Sequence, residues 1–196
     1  MEYNMNLKDI GNSFFCDQLE KFVSESPYLA FVLLSSLLEF MGNCYQKSQG
    51  SKNTTREIFF NLINNNEALK EYRRFNYKVK DQKSGIDIDN NYLYKYLRCG
   101  MLHELLPKED IVLCPDRNDL SQKVIGAKNL YEDMKRAWDE LKSLSDVSSY
   151  MESTDVLIVF DAFSGSTTSS IVVKTTSQTN ETEKKLEEEM NAATEA

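Results

Sequence analysis

Apolar residues return at three- and four-residue steps over most of the first 145 positions, the spacing that gives a helix one buried face. Leu7, Ile10, Phe14, Phe15, Leu19, Phe22 and Val23 follow it and predict a first helix over 7–24. Ser26-Pro27 then restarts the chain with a capping hydroxyl followed by a first-turn proline. The segment 27–46 is apolar on almost every side, apart from a stripe of Ser35, Glu39, Gly42, Asn43 and Gln46 at helical spacing. Such a helix is the central element of a bundle. Glu39, on its flank, then needs a partner if it lies against other helices.

A polar loop over 46–53 precedes Thr54-Thr55-Arg56-Glu57, whose spacing is that of a capping box. It opens a short helix through Ile58, Phe59, Leu62 and Ile63, which Asn64-Asn65-Asn66 interrupts before a helical pattern resumes over 67–75. Residues 81–91 read as a loop, with Asp89 available as a cap for a helix over 92–105 that Pro107 stops. Residues 111–114 and 122–125 read as two short strands around the turn Pro115-Asp-Arg-Asn-Asp119. Leu130, Met134, Ala137, Trp138, Leu141 and Leu144 mark one more amphipathic helix. Residues 155–163 and 170–176 are strand-like and flank a serine-rich turn, so a hairpin is expected.

The pattern predicts a mainly α fold: an antiparallel helical bundle over 1–150 with a short strand pair near 111–125. A β-hairpin appendage over 151–178 and an acidic tail over 179–196, helical or disordered, follow it. The serine-rich turn lacks the strand-loop-helix setting and the lysine of a P-loop.

Charge and cysteines narrow the function classes. The formal net charge is −8, but six acidic residues and two lysines from Glu181 onward account for half of it. The body is therefore only mildly acidic, which argues against a long-range positive field yet permits a local basic patch. Cys16, Cys44, Cys99 and Cys114 form no C-x-x-C pair, so no metal site or cofactor is expected. They read as reduced thiols of a cytoplasmic protein. The most apolar run, residues 28–41, is too short to span a bilayer and carries Glu39. In Lys70-Glu-Tyr-Arg-Arg-Phe-Asn-Tyr-Lys-Val-Lys80, cations alternate with aromatics. Arg73, Arg74, Lys78 and Lys80 could hold a phosphate backbone while the rings stack bases. A solvated helix face with inward aromatics accounts for the same run, and the mild body charge favours it.

The chemistry concentrates in Tyr92-Leu-Tyr-Lys-Tyr-Leu-Arg-Cys-Gly-Met-Leu-His-Glu104, which holds the single histidine. Histidine is the side chain whose unperturbed pKa lies closest to neutrality, so the single His103 is the candidate proton carrier; Arg98 is a fixed planar cation suited to phosphate oxygens. Five residues apart on a regular helix, the two sit about 140° apart around the axis. Either Gly100 loosens the turn, or a symmetry-related copy supplies the second half of the site. Helix-end capping accounts for the same two residues without any chemistry.

The R-x4-H spacing of Arg98-Cys-Gly-Met-Leu-His103 near the end of an apolar helix, after a bundle helix with an acidic position, resembles the HEPN superfamily. The likeness is specific over about fifteen residues, extends as architecture over roughly 1–145, and the motif looks especially similar to HEPN-like proteins of bacteria. It implies an all-α homodimer joined through the Arg98–His103 helix and a metal-independent endoribonuclease or RNA-binding protein in bacterial defence or toxin-antitoxin systems. His103 would be the acid/base residue and Arg98 the phosphate anchor, with Glu39 in support. Active members usually carry a polar residue after the arginine, where this chain has Cys99. A non-catalytic interaction module with an antitoxin-like protein partner, or a nucleotide-binding module, is the alternative that the resemblance also covers.

Overall fold

A computed structural model describes residues 2–15, 17–81, 85–103, 111–160 and 171–176. Two compact units divide the chain, one of residues 1–7 with 152–196 and one of residues 8–151.

The larger unit is mainly helical and is built on a long helix, as the patterning predicts. Strand β1 (Glu2–Asn6) belongs to the smaller unit, and after it come α1 (Leu7–Phe14), α2 (Asp17–Glu25) and α3 (Pro27–Ser48). The expected single helix over 7–24 is therefore two helices, broken near Phe15. The break lets Phe15 stack on Trp138, with ring centroids 6.2 Å apart. Tertiary aromatic packing overrides the local period here.

Helix α3 buries Ala30, Leu34, Leu38 and Met41 completely. It is long and apolar enough to cross a membrane by length and composition, but half of its most apolar window is buried inside the protein. Its polar stripe faces neighbours rather than water, since Ser35 and Gln46 are buried as well. Gly42 lies in that stripe because a Cβ there would run into the Ile58 side chain and sit 3.1 Å from the Ile58 carbonyl oxygen. Gly42 therefore sets how closely α3 approaches α4 (Thr55–Asn65). The expected capping box opens α4, with the Glu57 amide donating to the Thr54 hydroxyl and the Thr54 amide donating to the Glu57 carboxylate. Helix α6 (Ala127–Ser143) closes the core with Leu130, Met134 and Trp138. Trp138 donates its indole N–H to Asn12, 2.9 Å away. A last helix, α7 (Ser145–Ser153), buries Val147 and Met151.

Two local expectations are corrected. Residues 67–75 form a 3-10 turn (Lys70–Phe75) and run into strand β2 (Asn76–Lys80), so the cation-aromatic run is not one helix face. Residues 87–91, read as loop, are strand β3 (Asp87–Asn91), antiparallel to β2 with Lys78 opposite Asp89 and Lys80 opposite Asp87. Opposite charges across the ladder hold a strand whose residues have poor β propensity. Strands β4 (Val112–Cys114) and β5 (Val124–Gly126) lie where the two short strands are expected, and they pair in parallel.

Strand β3 ends in the lock that positions the focal helix. Asn91 is fully buried, donates to the Asn76 side chain at 2.7 Å and to the Tyr72 carbonyl at 3.4 Å, and accepts the Leu93 amide at 2.8 Å. The first amide of the focal helix is thus taken by the Asn91 side chain and not by Asp89, with Tyr92 at the N-cap position.

In the smaller unit, β6 (Asp155–Phe160) and β7 (Ile171–Thr176) pair antiparallel, and β1 adds a third strand beside β6. The serine-rich turn and the acidic tail lie outside the described residues.

Three outcomes follow from this packing. Gly42→Ala forces α3 away from the Ile58 backbone and lowers stability by about 1–3 kcal/mol in urea denaturation. Asn91→Ala strands the Leu93 amide in the core, costing about 2 kcal/mol in the same measurement. Burial pushes the Cys44 thiol up to about 12, against small opposing effects of Lys47 and its own backbone. Its stabilising effect is full below the ordinary value of 9.0 and is lost as pH climbs toward 12. Mass spectrometry after iodoacetamide treatment at mildly alkaline pH should find Cys44 unmodified when folded and modified in denaturant.

Candidate active site at Glu39, Arg98 and His103

The focal helix begins irregularly. Tyr92 leads into a π turn, Leu93–Arg98, and then into the short helix α5 (Cys99–His103). The Cys99 amide donates to the Tyr94 carbonyl, five residues back, where an α-helix would use the fourth. Leu93, Leu97 and Met101 bury one side of this segment. Tyr94 packs edge-on against Phe59 of α4 at 5.5 Å. Such wide turns interrupt helices most often where a side chain must be re-aimed at a site.

Here the re-aimed residue is Arg98, the last of the π turn. Its Nε and Nη2 donate to Glu39 Oε2 at 2.9 and 2.8 Å, and both side chains are three-quarters or more shielded, at 20% and 24% exposure. Burial opposes the arginine charge, but the hydrogen bond and charge of Glu39, with Cys99 adjoining, outweigh it and raise the guanidinium above its usual value. Glu39 thus has the partner its sequence position demanded.

Arg98 Nη1 lies 3.4 Å from His103 Nε2. A guanidinium can only donate, so this contact requires an unprotonated Nε2 and the imidazole proton on Nδ1. His103 itself is exposed. The expectation that the pair meets only through a turn loosened at Gly100 or through a symmetry-related copy is therefore corrected. Cys99–His103 is regular α-helix, so Gly100 loosens nothing, and the length of the arginine arm covers the angle that Cβ directions leave open. No second copy is needed to bring the two residues together.

Cys99 is half-buried between Arg98 and Tyr94. Burial, then the charge and hydrogen bond of Cys99, raise the Tyr94 hydroxyl above the ordinary tyrosine value, while Arg98 and Arg56 pull it back. Tyr94 and Arg56 join the cluster without a chemical motif of their own in the sequence, whereas Cys99 stands out there as the residue after Arg98. The Tyr92-x-Tyr94-x-Tyr96 alternation is the one signal for Tyr94, because a π turn spreads such residues over a broad face.

The remaining marked cations lie elsewhere. Arg73 donates to the carbonyls of Ile63 and Asn66 at 3.2 Å each and reaches the Glu67 carboxylate at 3.3 Å, so it fastens the end of α4. Lys78 and Lys80 face Asp89 and Asp87 across the β2–β3 ladder, and Arg74 is exposed in the 3-10 turn that precedes it. The structure brings Glu39, Arg98 and His103 together and leaves these four outside that cluster.

Chemically the cluster is a proton acceptor beside an oriented cation on a partly open surface. Among the described residues no three His, Cys, Asp or Glu side chains gather as a metal site. No family model matches the chain, and no curated protein or solved structure is similar to it.

Proposed function

We propose that the chain is a cytoplasmic, homodimeric endoribonuclease of the HEPN type, acting on RNA in bacterial defence. The observation that carries this reading is the Arg98–His103 contact of 3.4 Å, with Glu39 holding the arginine from behind. A phosphodiester entering between guanidinium and imidazole replaces that contact with a charge-assisted one. His103 Nε2 takes the proton of the ribose 2′-hydroxyl. The 2′-oxygen then bonds to phosphorus as the bond to the 5′-oxygen breaks, leaving a cyclic phosphate. Arg98 donates to the phosphoryl oxygens, whose charge grows in the transition state. Solvent at the exposed histidine returns a proton to the 5′-oxygen.

A competing reading is a non-catalytic interaction module of the same fold. What favours it is that the Arg98 charge is already balanced by Glu39 at 2.8 Å, next to Cys99 rather than a polar residue.

Incubation of pure protein with mixed RNA in excess chelator separates the two readings. The ribonuclease reading expects cleavage to cyclic-phosphate ends, and His103→Ala slows it by roughly 10²–10⁴-fold. Equal cleavage by both proteins, or none by either, removes the catalytic role and leaves the interaction module.

A further inference from the structure

The π turn does more than aim Arg98. It also presents a ladder of tyrosines. Tyr77 of β2 stacks on Tyr92 at 4.4 Å with ring planes 21° apart, and Tyr92 meets Tyr96 at 4.9 Å and 31°. None of the three belongs to the buried core; each is half-exposed. Cations lie over the ladder, with Lys123 Nζ 4.7 Å from the centre of the Tyr92 ring and Lys95 Nζ 4.8 Å from that of Tyr96.

Two further observations mark this surface as built for a ligand. Lys123 is the one described non-glycine residue with a positive φ, 56°, and this left-handed turn carries its ammonium group over Tyr92. A β-carbon in that region is strained, and such strain is kept where a side chain must be aimed. The Tyr77 hydroxyl and Arg56 Nε are both buried without a hydrogen-bond partner among the described residues. Arg56 also acts electrostatically on Tyr77. A donor-rich cation and flat rings side by side match a nucleobase and its phosphate.

We propose that unpaired bases of single-stranded RNA stack on the Tyr77–Tyr92–Tyr96 ladder, with Lys95 and Lys123 moving from the rings onto the adjacent phosphates. The inference rests on the ribonuclease reading and names its substrate class: RNA whose bases are free to splay, not duplex. His103 follows Tyr96 by seven residues, two turns and roughly 10 Å along the helix. Adjacent nucleotides of an extended strand cover that rise. The ladder thus holds the strand while the next linkage reaches Arg98 and His103. Aromatic stacking is indifferent to base identity, so the site selects strandedness over sequence.

Fluorescence anisotropy with a short unstructured oligoribonucleotide tests this, using His103→Ala protein so that the probe stays intact. Single-stranded probe should bind more tightly than the same sequence in a duplex. Tyr96→Ala should weaken single-strand binding roughly 5- to 150-fold, whereas Tyr96→Phe stays near the parent. Lys123→Gly suits the backbone there, so folding is kept, and it should flatten the slope of log affinity against log salt by about 0.7. The proposal is overturned if no binding occurs at low salt, if duplex binds equally, or if Tyr96→Ala and Lys123→Gly bind like the parent. Cleavage lost in His103→Ala beside unaltered binding in Tyr96→Ala would sink the ladder alone. Ladder-dependent binding with no effect of His103 on cleavage would sink the catalytic reading alone.

Discussion

A glutamate on an otherwise apolar central helix cannot be left alone in a bundle. Removing its charge from water costs more than any single apolar contact returns, so a cation must meet it. Glu39 meets Arg98, and that requirement ties α3 to the irregular helix some sixty residues later. The pair adds little net stability, because both charges give up hydration to form it. Its effect is on register: Arg98 has to arrive at one place along α3. The wider π turn that delivers it also fixes where Tyr94, Tyr96 and His103 emerge.

What the amino-acid pattern revealed was what local physics decides. The α3 and α6 helices, the capping box at Thr54 and the C-terminal strand pair follow from spacing and short-range hydrogen bonds. Features set by distant partners stayed hidden. Strand β1 exists through its pairing with β6, where Asn4 lies opposite Leu157. The polar run of β3 is a strand because Lys78 and Lys80 lie opposite its aspartates. The break between α1 and α2 answers to Trp138, far along the chain. Parallel pairing of β4 and β5 has no signature in segments that short.

The site divides the same way. Glu39, Arg98 and His103 could be named from charge, singularity and spacing, yet their meeting was misjudged. The angular argument used Cβ directions on an ideal helix, and a guanidinium at the end of four rotatable bonds is not bound by them. The Lys70–Lys80 run shows the reverse error. Its cations look alike in sequence, but Arg73 is consumed by carbonyls of α4, and Lys78 and Lys80 face a ladder of aspartates. From that run Tyr77 joins the ladder beside the focal helix.

Whether Glu39 silences Arg98 or prepares it depends on which edge it occupies. Guanidinium carries five N–H donors in a fixed fork. Glu39 takes the Nε–Nη2 edge through one carboxylate oxygen, while Nη1 points to His103. The opposite end of the fork therefore stays available on the side where the imidazole lies. A free arginine arm would sample many rotamers and lose entropy on meeting a phosphate. Held along one edge, it has already lost that freedom, and its remaining donors are fixed beside a base. A carboxylate in this position lowers the net charge of the site while improving its geometry. For a reaction whose demand is charge placed at one oxygen, placement outweighs total charge. A mildly acidic body is therefore compatible with the phosphoryl-transfer role proposed for this site, without a broad basic field.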